Sequence, residues 1–212
     1  MKTILALVFA LFLPLAHAQT PAPVADGSPE GLVRKVTTDV LEAVKSDAGL
    51  QAGDKQKALA LAEQKVLPHL DFTEMTRLAA GRTWNTATPE QRERLVAGFR
   101  AMLVRTYANA IDVYRGQTMM VEPARVPTSA TEATVRNRYV SPGRRPTPVE
   151  YSMRKGADGW KIYDIVVDGI SLVLTYRSQF EEAARNTGVE GLITQLQDKT
   201  RATPPALRSK AL

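Results

Sequence analysis

The sequence predicts an α+β domain: a twisted antiparallel sheet of about four strands packed against helices on one face, with an apolar cavity between the layers. Three observations predict it. Apolar residues keep helical spacing through the first part of the chain, alternate with polar ones from Gln117 to Met153, and return to helical spacing after Ser171. The run Asp158 to Leu172 reads as a long strand entered at Gly159 and left through Gly169 into a helix. Its apolar residues sit at even positions (Trp160, Ile162, Val166) and at odd ones (Ile165, Val167), which reads as cover on both faces.

The first helix begins at Ser28-Pro29-Glu30, with Ser as N-cap and Pro at the first helical position, and runs to about Asp47. Leu32, Val33, Val36, Val40, Leu41 and Val44 form its apolar stripe. A second helix spans about Asp54 to Leu67 and stops at Pro68. A short third follows Asp71 and ends at Gly81. Thr88-Pro89-Glu90-Gln91 is a capping box, and it opens a long helix carrying Leu95, Phe99, Met102, Leu103, Tyr107, Ala110 and Tyr114 to Gly116.

Met119 and Val121, then Ala133, Val135 and Tyr139, then Val149, Tyr151 and Met153 form the apolar sides of three strands. Arg136, Arg138, Glu150 and Arg154 take the other side, and Ser141 to Pro146 is a wide hairpin loop. The Trp160 strand is the fourth. Two helices finish the domain, from Ser171 to about Arg185 and from Val189 to about Lys199, separated by Asn186-Thr187-Gly188.

Residues 1–18 read as an export signal: Lys2, the apolar run Ile4 to Leu13, and Ala16-His17-Ala18 as the cleavage site. Residues 19–28 read as a flexible Pro/Ala linker, 29–200 as the folded domain and 201–212 as a disordered basic tail. The expected compartment is a bacterial periplasm. The chain has no cysteine, so neither a lipidated Cys anchor nor a disulfide is available to it. A net charge of +6 on an exported chain suits anionic lipid surfaces and acidic partners, and no nucleic acid is expected.

Catalytic equipment is sparse. His69 is the single histidine after the signal, so no His/Cys zinc site is expected, and no nucleotide-binding glycine loop occurs. Its expected role is capping or a surface hydrogen bond. Asp164 and Asp168 stand on the long strand, where a buried carboxylate needs a partner. They read either as a general base in a cavity, as in small-molecule isomerases, or as structural groups: ion-paired with an Arg, or Asp168 capping the Ser171 helix.

Leu78, Phe99, Leu103, Tyr107, Val135, Tyr139, Tyr151, Met153, Ile165, Val167, Ile170, Leu172, Val173 and Tyr176 are the candidate lining. By pattern alone they would serve equally as a filled core, since core and lining residues look the same in sequence.

Three stretches resemble a known family. They are Leu67-Pro68 with Thr86 to Arg92 and Phe99-Arg100; Tyr107 with Tyr114 to Thr118; and Trp160 to Asp164 through Gly169 to Leu172, ending in Gly188 to Leu192. In this order and spacing they are similar to the Mla-type periplasmic phospholipid-binding proteins, the toluene-tolerance family. The resemblance implies a soluble carrier with no catalytic residues and no cofactor. Such a carrier holds a glycerophospholipid by its acyl chains and shuttles it between an outer-membrane lipoprotein/porin complex and an inner-membrane ABC transporter complex. Outer-membrane lipid asymmetry is thereby maintained. The implied cargo makes the candidate lining a lipid-binding surface, one that Leu103→Arg is expected to empty without unfolding the chain. The alternatives are a small-molecule enzyme built on a similar α+β cone and an interaction module with a filled core. Arg144 and Arg145 on the hairpin are candidates for meeting phosphate head groups or partner carboxylates.

Overall fold

Most helix starts in the computed structural model, which describes residues 27–107, 118–124 and 126–201, fall where polar side chains accept the first amide protons. The expected export signal, most of the linker, the helix end at Tyr114 and Gly116, and the tail from residue 202 lie outside the described residues. Ser28 accepts from the Gly31 amide at 2.9 Å and opens α1 (Pro29–Ser46). Asp47 opens a four-residue α2 (Ala48–Gln51) and Asp54 opens α3 (Lys55–Lys65). A 3₁₀ turn at Leu67–His69 precedes α4 (Phe72–Ala80), which Asp71 caps. A short α5 (Arg82–Thr86) leads into α6 (Pro89–Tyr107). There the capping box closes in both directions: Gln91 N donates to Thr88 Oγ1 at 3.2 Å and Thr88 N to Gln91 Oε1 at 2.9 Å.

Five antiparallel strands follow in sequence order: β1 (Thr118–Val121), β2 (Glu132–Val140), β3 (Thr147–Gly156), β4 (Gly159–Val167) and β5 (Ile170–Ser171). The fifth was hidden in the sequence as the start of the last helix. Asp168 (φ 50°) and Gly169 (φ 82°) form a two-residue turn with both centres left-handed, which folds Ile170 and Ser171 back onto Val167 and Val166. Farther along the same edge of β4, Leu70 bridges Ile162 in parallel.

β4 is covered on both faces as expected, with Trp160 and Ile162 buried on one and Asp164 on the other, and a bulge sets which residues share a face. Pairing shifts by one residue between Ser152 and Met153, so Met153 opposes Ile162 while Tyr151 opposes Ile165 and Val149 opposes Val167. Even-numbered Trp160 and Ile162 therefore share a face with odd-numbered Ile165 and Val167.

The final helix, α7 (Leu172–Arg201), is broken at Gly188, whose φ of 70° and ψ of −175° no L residue adopts cheaply. This is the interruption that Asn186-Thr187-Gly188 predicted. At Gly98 the two long helices come close enough that an added Cβ would meet Leu196 Cβ at 3.0 Å.

Of three apolar clusters among the described residues, one ties α1, α2 and α3 together through Val44, Leu50, Ala58 and Leu61, and two organise the sheet and the longer helices. Of these two, one joins α4, α6 and α7 through Met75, Leu95, Phe99, Leu103, Phe180 and Leu192. The other lies on one sheet face, here the inner face, where Val135, Met153, Trp160 and Ile162 meet Val33 of α1. Leu70 touches both. On the opposite side of β3, Arg154 bonds Asp71 and Glu74, each at 2.9 Å, and so fixes α4 to the sheet.

Candidate ligand-binding site

Strand register sorts the inner face into rows about 7 Å apart, two residues of rise along each strand. The first row is Ala133, Met153 and Ile162; the second is Val135, Tyr151 and Ile165. The third crosses all five strands: Val121, Asn137, Val149, Val167 and Ile170. The fourth is Met119, Tyr139 and Thr147. Burial falls along β3 and β4 of this series, whereas β2 is buried at Val135 and Asn137. Met153 and Ile162 are buried under α1, Tyr151, Val149, Val167 and Tyr139 are half-buried, and Ile170 is 68 % exposed. The face is closed at one end and opens toward the other.

The candidate lining divides between the two clusters. Val135 and Met153 are buried on the inner face, with Tyr151 and Ile165 packed beside them. Tyr139, Val167 and Ile170 continue the same face toward its open end. Phe99, Leu103 and Val173 are instead fully packed within the helical cluster, with Leu78, Leu172 and Tyr176 at its border. Phe99 meets Tyr176 and Phe180 edge-on, with ring centroids 5.4 and 5.1 Å away. Tyr107, at the last described turn of α6, is 40 % exposed. Burial of its hydroxyl, and then a hydrogen bond with Tyr176, push its pKa well above the ordinary range. Leu103 is 5 % exposed, so Leu103→Arg would place a charge among packed helices and is expected to cost stability as well as cargo.

The two aspartates separate cleanly. Asp164 is buried, and both its oxygens are engaged: Oδ1 accepts from the amides of Ile165 (2.9 Å) and Val173 (3.1 Å), and Oδ2 from the Ser171 hydroxyl (2.6 Å). Asp164, not Asp168, anchors the start of α7. Asp168 is exposed in the β4–β5 turn, its amide donating to the Pro148 carbonyl at 3.0 Å. His69 stands half-buried in the 3₁₀ turn, and its pKa is lowered by burial and then by Lys35.

Asn137 escaped the sequence reading. It is 2 % exposed in a row whose other members are Val, Val, Val and Ile. The signal was present, because alternation from Val135 to Tyr139 already put residue 137 on the apolar side.

The MlaC protein family model matches residues 34–198, most of the chain. The chain belongs to the MlaC protein family. Two members resemble it along most of their length. Toluene tolerance protein ttg2D of Pseudomonas putida is 27% identical over 189 residues, covering 88% of this chain and 83% of that one. The intermembrane phospholipid transport system binding protein MlaC of Haemophilus influenzae is 23% identical over 198 residues, 92% and 90% of the two chains. Among solved structures, the phospholipid-binding protein of Ralstonia solanacearum, in complex with a phospholipid, aligns with a TM-score of 0.74 and 36% identity. That match covers 81% of this chain and 96% of the other. The sheet and helices described above are an MlaC-family fold, and its relatives bind and transport phospholipid.

Proposed function

We propose that this protein is a periplasmic phospholipid carrier and not an enzyme. It takes a diacyl glycerophospholipid from one membrane-bound complex to another, between an outer-membrane lipoprotein/porin complex and an inner-membrane ABC transporter, and so supports outer-membrane lipid asymmetry. Residues 1–18 direct export, and residues 29–200 form the lipid-binding domain. The observation that carries the reading is the Ralstonia relative, 36% identical and solved with a phospholipid on the same fold. The inner face of β2–β4 supports the reading with apolar rows that are buried at Met153 and Ile162 and half-buried at Val149 and Val167. Acyl chains lie along those rows, with the head group toward the open end.

Energetics favour this division of labour. Two acyl chains of roughly thirty methylenes, at about 0.8 kcal/mol each, cost over ~20 kcal/mol to expose to water. A carrier must therefore sequester them. Transfer from a bilayer to an apolar groove is nearly neutral, so direction comes from the partner complexes. Commitment of Asp164 to the start of α7 favours a carrier over the isomerase alternative. No helix among the described residues is long and apolar enough to cross a membrane.

Native mass spectrometry of the mature protein, purified without detergent, tests the proposal. The expected spectrum shows an added mass of one phospholipid that is lost on denaturation and recovered by solvent extraction. A mass equal to the polypeptide alone, unchanged after incubation with phospholipid vesicles, would overturn it.

A further inference from the structure

Asn137 is a buried polar side chain in the wrong company. Its row crosses the whole sheet as Val121, Asn137, Val149, Val167 and Ile170, and it alone carries hydrogen-bonding atoms on its side chain. Among the described residues no group meets either its amide nitrogen or its amide oxygen in hydrogen-bond geometry. Buried amides are nearly always partnered, and one left unmet at both ends is a costly arrangement that an aliphatic residue would avoid. The Tyr151 hydroxyl is the neighbouring polar group; burial raises its pKa, and the Asn137 amide lowers it against that larger effect. Tyr151 itself is half-buried by surface, while protein atoms surround its hydroxyl so densely that burial holds its pKa above the ordinary range.

We propose that Asn137, with the Tyr151 hydroxyl beside it, is the polar seat of the groove and donates to an ester carbonyl of the bound diacyl lipid. This rests on the carrier reading and deepens it. The rows on either side hold the methylenes, which give no positional preference because every methylene is alike. A single amide donor supplies that preference, since only the ester groups of a diacyl lipid present a carbonyl to an otherwise apolar wall. The seat sits in the third row, one row inside the open end, so a lipid fixed there keeps its head group outside.

Competition between diester and diether phosphatidylglycerol of equal chain length is the test, because the ether lacks only the carbonyl oxygens. Wild type is expected to retain the diester over the diether by roughly two- to tenfold, the span of one net hydrogen bond. Asn137→Leu, which removes both unmet amide atoms and keeps the volume, is expected to melt no lower than wild type and to hold the two lipids equally. Should Asn137→Leu fail to fold, Tyr151→Phe is expected to reduce the preference while keeping the aromatic packing. Equal retention of the two lipids by wild type, or an undiminished preference in the folded variants, would overturn the seat while leaving the carrier intact. Failure of wild type to retain either lipid would overturn both.

Discussion

Asp164 and Ser171 are joined by a 2.6 Å hydrogen bond that couples the last long strand to the first turn of α7. Both residues also serve the helix directly. The Val173 amide donates to Asp164 and the Leu174 amide to Ser171 Oγ. Two side chains from either side of a hairpin thus satisfy donors that a helix start leaves open.

Removing this junction should cost folding stability. Asp164→Ala strands a buried amide and is expected to lower unfolding free energy by about 2 kcal/mol, and Ser171→Ala by about 1 kcal/mol. Urea unfolding measures both. An Asp164→Ala midpoint indistinguishable from wild type would mean that the junction is decorative.

Acid should weaken the β3–α4 contact. Glu74 is buried, and the Arg77 hydrogen bond, together with the charges of Arg77 and Arg154, holds its carboxyl below its ordinary value of 4.5 against the opposing effect of burial. A depressed folded pKa gives stability that is present above the unfolded value and lost as pH falls through the folded one. Glu74→Gln should therefore cost about 1 kcal/mol at neutral pH, and its gap to wild type should close as pH drops below 4.5. Denaturant titrations between pH 7 and 3 decide it; a gap constant over that range contradicts the ion-pair account.

Core and groove should respond differently to substitution. Leu103→Ala empties space within packed helices and is expected to destabilise by about 2–4 kcal/mol. Val167→Lys lies on the half-buried part of the inner face, where a lysine stem can reach water. It should melt close to wild type and retain phospholipid roughly tenfold less well. Thermal melts paired with lipid extraction separate the two, and a Val167→Lys protein with full lipid content would remove β4 from the groove.

Gly188 offers a purely conformational test. Nothing lies within 4 Å of a Cβ built there, yet its φ of 70° is left-handed. Gly188→Ala should cost about 1–2 kcal/mol through backbone strain alone. An unchanged melting temperature would show that the break in α7 straightens at no cost.

Much of the fold could be read locally, because local rules decide helix starts and strand periods. Thr88 and Gln91 announced α6, and Asn186-Thr187-Gly188 announced the break in α7. What escaped was decided by pairing. The bulge opposite Ser152 and Met153 placed Trp160 and Ile165 on one face, which no count of odd and even positions reveals. Asp164 displaced Asp168 as the anchor of α7 because the Asp168-Gly169 turn brings Ser171 back beside β4. Phe99 on its helix and Val135 on its strand belong by pattern to one candidate lining, yet they pack in separate clusters. Asn137 was passed over as a polar residue, although its position in the alternation was plain.

Photocrosslinking tests the central claim most directly. A phospholipid with a diazirine midway along one acyl chain is loaded into the protein, irradiated, and its adducts are mapped by peptide mass spectrometry. Adducts at Tyr139, Val149, Tyr151, Ile165 or Val167 are predicted, because these residues form the half-buried rows of the inner face. Adducts confined to the open groove along Thr187, Gly191, Thr194 and Lys199, or to the one between α1 and α3, would contradict the account.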